Sequence, residues 1–148
     1  MVELTNSQTN MTYITTDDIY ATIQEPMLQS SIEKNAALLD TLEAGCLDEV
    51  RSYIGGRFDC TKIFGEPPIK NGMLVRIITC IVVYRAIRRN AARKVPENYE
   101  ELNTWAYDAL SRIRDGEMPL PGMPEIVDPE TGEPMTLWGS NRKDEYFF

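Results

Sequence analysis

Apolar residues recur at intervals of three and four along four stretches of the chain, which is the spacing of one helix face. The first predicted helix starts near Thr15 and Thr16, which can cap it, and it ends or restarts at Pro26. The second covers about 32–54, and the glycine pair Gly55–Gly56 stops it. These two stretches predict helices in the first third of the chain.

The third and fourth predicted helices cover about 69–92 and 97–115. Apolar residues occupy more than half of the circumference of the third helix, so we expect it to be the central and most buried element. Val95–Pro96 separates it from the fourth helix, which ends at Gly116. The pattern therefore predicts an all-α domain whose four main helices form a small bundle.

The segment after Gly116 has no such period, yet it contains aromatic residues: Trp138, Tyr146, Phe147 and Phe148. A disordered linker usually lacks aromatic residues because it has nothing to pack them against. We therefore predict an extended C-terminal arm, residues 117–148, whose rings become buried on another subunit. The alternative is that the arm folds back over its own helices.

Two further predictions divide the chain. In the arm, Ile126–Val127 and Met135–Trp138 flank the turn sequence Asp128–Gly132, and this pattern also fits a short β-hairpin. Residues 1–12 are polar and are predicted to be a flexible N-terminus. The helical core is then expected to cover residues 13–116.

Composition argues against an enzyme. The chain of 148 residues has no histidine, which removes the commonest general base and the commonest metal ligand. It has no nucleophile motif, phosphate-binding loop or zinc-type spacing. Cys46, Cys60 and Cys80 lack a CxxC spacing and are expected to be reduced, in a cytosolic setting. We expect no catalytic residue, no cofactor and no bound metal.

No membrane association is expected either. The longest apolar run, Met73–Tyr84, contains Arg76 and is too short to span a bilayer. The first residues have no apolar stretch, so no signal peptide is expected.

Charge is spread unevenly along the chain. The net charge is −8, yet seven cations and no acid lie between residues 70 and 94: Lys70, Arg76, Arg85, Arg88, Arg89, Arg93 and Lys94. Arg85, Arg88, Arg89 and Arg93 have helical spacings, which places them on or near one face. This cluster is interpreted either as a basic contact surface or as charges that complement the helix dipole and pair locally. If it is a contact surface, an acidic protein is expected rather than DNA, because the whole chain is acidic.

The order of several segments resembles a known family. These segments are Tyr13–Ile19, Val50–Phe58, a Leu74-x-x-Ile77-x-x-x-Ile81-x-x-Tyr84-Arg85 helix, Asn98–Leu102, and a helix that ends at Gly116–Glu117. Together they resemble the small head–tail connector (adaptor) proteins of Mu-like tailed phages, over about residues 13–117. Phe58 replaces the tyrosine usual in that family, and Asp128–Pro134 looks like an insertion.

The resemblance implies a structural virion protein. Its subunits would form a ring, expected to be a dodecamer, beneath the portal protein at the head–tail junction, after assembly in the host bacterial cytoplasm. The ring would provide the docking surface for tail or second connector proteins, and DNA would pass through the lumen without specific binding. The residues predicted to contact other subunits or the portal are Arg85, Arg88, Arg89, Arg93, Trp138, Tyr146, Phe147 and Phe148.

Two other functions remain open from the sequence. One is a small helical nucleic-acid-binding regulator that uses the basic helix Arg85–Lys94. The other is a partner-binding adaptor or chaperone whose terminal aromatic residues dock in a groove of its partner.

Overall fold

The fold is known from a computed structural model, which describes residues 9–33, 35–89, 94–130 and 132. Six helices lie within these residues: α1 (Thr16–Tyr20), α2 (Glu25–Ser31), α3 (Ala37–Ile54), α4 (Cys60–Ile63), α5 (Gly72–Arg88) and α6 (Glu97–Arg114). The predicted all-α class is confirmed, and the three long helices α3, α5 and α6 pack together as a small bundle.

The first predicted helix is two short ones. Thr15 caps α1 as expected: its Oγ1 accepts from the Asp18 amide at 3.2 Å, and the Asp18 carboxylate accepts from the Thr15 amide at 2.9 Å. Pro26 does not end this helix but stands at the second position of α2. Proline is tolerated there because the first turn of a helix has no partner for its missing N–H.

α3 begins at Ala37, later than predicted, because Glu33 takes the left-handed conformation with a φ of 55°. The apolar stripe predicted for this helix is buried as expected at Leu39, Cys46, Leu47, Val50 and Ile54. The helix ends before Gly55, as predicted; a Cβ at Gly55 would collide with the carbonyl oxygen of Arg51.

α4 lies between the second and third predicted helices, where the sequence pattern indicated no helix. The Asp59 side chain accepts a hydrogen bond from the Lys62 amide at 3.3 Å and caps this single helical turn. Ile63 has no exposed surface and fixes the turn to the core. Such a short helix has no periodicity of its own, so the pattern of the sequence could not indicate it.

α5 is the central helix, as predicted. Ten of its seventeen residues are buried, and it contacts α1, α2, α3 and α6. It begins at Gly72 rather than 69 because the side chain of Asn71 accepts from the amides of Met73 and Leu74 at 2.9 and 3.2 Å. It ends at Arg88, while residues 90–93 of the predicted helix lie outside the described residues.

A buried carboxylate holds the N-terminal strap, which we define as residues 9–15, against α3. The Glu43 side chain is 2% exposed. Its Oε1 accepts from the Thr12 amide at 2.7 Å, and its Oε2 accepts from the amides of Tyr13 and Ile14, both at 2.8 Å. The Asp40 carboxylate also accepts from the Asn10 amide at 2.7 Å. Thus the last residues of the predicted flexible N-terminus are bonded to a helix.

The strap is also bonded to the start of α5. Tyr13 is fully buried; its hydroxyl donates to the carbonyl of Ile69 at 2.8 Å and accepts from the Asn71 amide at 3.0 Å. The Lys70 ammonium donates a hydrogen bond to the Tyr13 carbonyl. The strap therefore bridges two elements that lie far apart in the sequence.

The first part of the predicted arm folds back onto the core. Leu120 and Met123 are buried. Residues 124–126 run antiparallel to 57–59: the Asp59 amide donates to the Pro124 carbonyl, and the Ile126 amide to the Arg57 carbonyl, both at 2.9 Å. Up to about residue 126 the chain therefore lies on its own core. The second half of the predicted hairpin lies outside the described residues.

Replacing Glu43 with alanine is expected to lower the free energy of unfolding by about 3 kcal/mol, because three amides, two of them buried, would lose their acceptor. Asp40→Ala is the matched control; it removes a more exposed acceptor from the same helix and should cost less than about 1 kcal/mol. Urea denaturation measures both values. Equal losses would contradict the role given to Glu43.

Candidate functional site

The predicted contact residues do not share one surface, because Arg85 is half-buried and is bonded within the chain. Its Nη2 donates to the Glu49 carboxylate of α3 and, at 2.8 Å, to the Tyr107 hydroxyl of α6. Tyr107 in turn donates to the other Glu49 oxygen at 2.9 Å. The three side chains form a closed polar cluster where three helices meet. Arg85 lies on the side of α5 that α3 covers, so its charge is used within the subunit.

The electrostatics of this cluster fix its protonation. Burial lowers the pKa of Arg85, but the hydrogen bonds to Glu49 and Tyr107 outweigh it, and the pKa is raised above the ordinary value. The pKa of Tyr107 is also raised, first by burial and then by its hydrogen bond to Glu49. Arg85 therefore stays charged and Tyr107 stays protonated at neutral pH.

Arg88 and Arg89, at the end of α5, are exposed. The Arg88 guanidinium lies 6.0 Å from the centroid of the Tyr84 ring, and it pairs with no carboxylate among the described residues. Arg89 lies 3.6 Å from a carboxylate oxygen of Glu33, but both side chains are exposed, and such pairs contribute little. Of the predicted basic contact residues within the described ranges, these two face solvent.

The other predicted contact residues are not placed. Arg93, Trp138, Tyr146, Phe147 and Phe148 lie outside the described residues, so their contacts remain predictions.

The segment Tyr53–Phe58, which carries most of the family resemblance, forms a junction. Ile54 and Phe58 are buried in the core. Arg57 donates to the carbonyl of Ile113, in the last turn of α6, at 3.4 Å and lies 3.7 Å from a carboxylate oxygen of Glu125. The end of α3, the end of α6 and the C-terminal segment thus meet at one arginine.

The junction requires a glycine at the end of α6. Gly116 has a φ of +83°, and a Cβ there would lie 2.6 Å from the Arg57 guanidinium. The left-handed turn lets the chain leave α6 while Arg57 approaches it closely. This explains in physical terms why the helix ends at Gly116–Glu117.

One pair of residues could not be predicted from the sequence. The Arg76 guanidinium lies 5.1 Å from the centroid of the Trp105 ring, so that α5 and α6 present a stacked arginine and tryptophan together. One signal was available: Arg76 is the single charged residue in the apolar run Met73–Tyr84. Its partner could not be identified, because the stack depends on how two helices pack.

The three thiols are poor nucleophiles. Burial raises the pKa of the Cys46 thiol to about 12 and also raises the pKa values of Cys60 and Cys80. Within the described ranges, no group of three or more cysteine, aspartate or glutamate side chains could hold a metal ion. In the same part of the chain, none of the helices is long and apolar enough to cross a membrane.

No protein-family model, no curated protein and no solved structure matches this chain.

Substituting Gly116 with alanine is expected to destabilise the protein by about 2–3 kcal/mol, because the left-handed backbone is strained and Arg57 is displaced. Gly122→Ala is the matched control; its φ is +80°, but nothing lies within 4 Å of its Cβ position, so it should cost only about 1 kcal/mol. Denaturant unfolding of both glycine variants, each with and without Arg57→Ala, measures how much of the stability loss comes from the contact between residue 116 and Arg57. If the two glycine variants lose the same stability, Arg57 does not constrain this turn.

Alkylation at pH 8 is expected to modify the half-buried Cys60 first and to leave Cys46 unmodified in the native protein. The thiolate is the reactive form, and a pKa of about 12 leaves on the order of one thiolate in 10,000 at that pH. Mass spectrometry of the labelled peptides gives both rates. Equal labelling of the two cysteines would show that Cys46 is not shielded.

Proposed function

We propose that this chain is a structural subunit of a tailed-phage head–tail connector, which assembles as a ring beneath the portal and offers the tail its docking surface. The observation that supports the proposal most strongly is the placement of Tyr53–Phe58. This segment, on which the sequence resemblance mainly depends, binds both the end of α6 and the start of the C-terminal arm.

A fixed starting point for the arm suits a subunit that must contact its neighbours. Two backbone hydrogen bonds hold residues 124–126 beside 57–59, so the chain leaves the core from a defined position. The aromatic residues of the arm follow within the next 22 residues. Because residues 124–126 are already held in place, the arm loses less conformational entropy when it binds another subunit.

Charge supports contacts between copies of the chain. Arg88 and Arg89 are exposed at the end of the acid-free stretch, whereas the chain as a whole carries a net charge of −8. Arg88 and Arg89 of one subunit can therefore contact an acidic region of the next subunit. An acidic ring would also let DNA pass through its lumen, since like charges do not attract.

The nucleic-acid-binding alternative is weakened by the polar cluster. It relies on Arg85–Lys94, but Arg85 is bound to Glu49 and Tyr107 and cannot reach a phosphate without breaking that cluster. The adaptor or chaperone alternative uses the same arm, and the size of the assembly distinguishes it from a ring.

Reversing both charges in Arg88→Glu/Arg89→Glu is expected to weaken ring formation at least tenfold, because the basic end would then repel an acidic neighbour. Arg112→Glu/Arg114→Glu is the matched control, since these arginines end α6 and pair locally with Asp108 and Asp115. Native mass spectrometry and negative-stain microscopy measure the assemblies. Unchanged rings in the Arg88/Arg89 variant would remove this contact from the proposal.

A further inference from the structure

We infer that the Arg76–Trp105 pair is the docking point for the C-terminal segment Asp144–Phe148 of a neighbouring copy of this chain. The inference rests on the ring assembly proposed above and names the contact that the arm makes. Arg76 and Trp105 constitute the receiving pair, and residues 144–148 the donor segment.

The Arg76 side chain is exposed, and among the residues that the structure describes it has no acidic partner. Most other arginines within the described ranges lie near a carboxylate: Arg51, Arg57, Arg85, Arg89, Arg112 and Arg114. Only Arg76 and Arg88 lack one in that part of the chain. Arg76 is thus one of two guanidinium groups that a partner's carboxylate could complete.

The stack on Trp105 prepares Arg76 for this role. Trp105 is partly buried and packs against the core, and the Arg76 guanidinium carbon lies 5.1 Å over the centroid of its ring. Stacking uses the flat face of the guanidinium, while its N–H groups lie at the edge. A carboxylate can therefore bind the edge, in the bidentate manner typical of arginine, while the stack is kept.

An apolar floor adjoins the pair. Met73 and Cys80 lie one turn before and one turn after Arg76 in α5, on the same side of the helix. Met73 is partly buried and Cys80 is 3% exposed. Tryptophan, tyrosine and arginine surrounded by apolar contacts are the residues that contribute most of the affinity at protein interfaces.

The donor segment has the complementary chemistry. Asp144 and Glu145 supply carboxylates, and Tyr146, Phe147 and Phe148 follow them directly. Acidic groups next to rings match a guanidinium next to an indole and apolar side chains. The acid-free stretch that contains Arg76 makes this region of an otherwise acidic chain the favourable place for such a segment.

The donor segment can reach a neighbour. Residues 133–148 would span about 50 Å if fully extended. A folded chain of this length has a radius of gyration of about 15 Å. Residues 133–148 are therefore long enough to carry the donor segment from its own subunit to the next one.

The test mixes two full-length variants. Arg76→Glu removes the receiving pair, and Phe147→Ala/Phe148→Ala removes the rings of the donor segment. Each variant alone is expected to lose self-association at least tenfold in sedimentation velocity. Mixed together, they should form one-to-one pairs, because the intact donor segment of the first meets the intact receiving pair of the second. Arg112→Glu, which alters another exposed arginine, should assemble like the wild type.

A second measurement uses Trp105 itself. The chain has two tryptophans, so Trp138→Phe leaves Trp105 as the sole emitter. Its emission should shift to shorter wavelength on assembly and should not shift in the Phe147→Ala/Phe148→Ala background. Exchanging the charges in Arg76→Glu/Asp144→Lys/Glu145→Lys should restore assembly.

The outcomes separate this contact from the proposed function. Rings that form normally in Arg76→Glu, or a mixture that yields no pairs, would overturn the contact and leave the connector proposal standing. A mixture without pairs would be the result if each arm bound its own subunit. Copies that pair through this contact but form neither a ring nor a complex with a portal would support the contact and contradict the connector function.

Discussion

The rest of the structure depends on the burial of α5 on nearly every side. Ten of its seventeen residues are buried, so its cationic side chains must leave near its ends or be neutralised inside. Arg76 leaves near the start of the helix and Arg88 at its end. Arg85, between them, is half-buried, and its Nη2 donates to Glu49 and Tyr107 of the neighbouring helices. One packing constraint thus decides which charges are paired within the chain and which face solvent.

Two polar contacts close the bundle around that helix. Glu43 supplies a buried carboxylate to three consecutive amides of the N-terminal strap, and Arg57 joins the end of α6 to the C-terminal segment. Both contacts connect residues far apart in the chain, and both use groups that would be costly to bury alone. They place the strap and the root of the arm at fixed positions on a core that is otherwise apolar.

Local pattern predicted much of the fold, since helix periodicity depends on neighbouring residues. It identified α3 and α5, and it marked the end of α3 through Gly55. The burial of Glu43 had a signal as well, because it stands four residues after Leu39 and four before Leu47 on the buried stripe. No local sequence signal indicated the hydrogen-bond donors of Glu43, because they come from a segment about 30 residues away. The pairing of Arg85 with Glu49 and Tyr107 likewise had no local signal, because these two residues lie on two other helices.

The central claim is that the subunit is complete as a fold but incomplete as an assembly. The most direct test is the mass and shape of the purified wild-type chain over a wide range of concentrations, alone and with a portal protein. The account predicts one closed ring of fixed copy number that persists on dilution and docks on the portal. A single 148-residue chain at every concentration, with and without the portal, would contradict it.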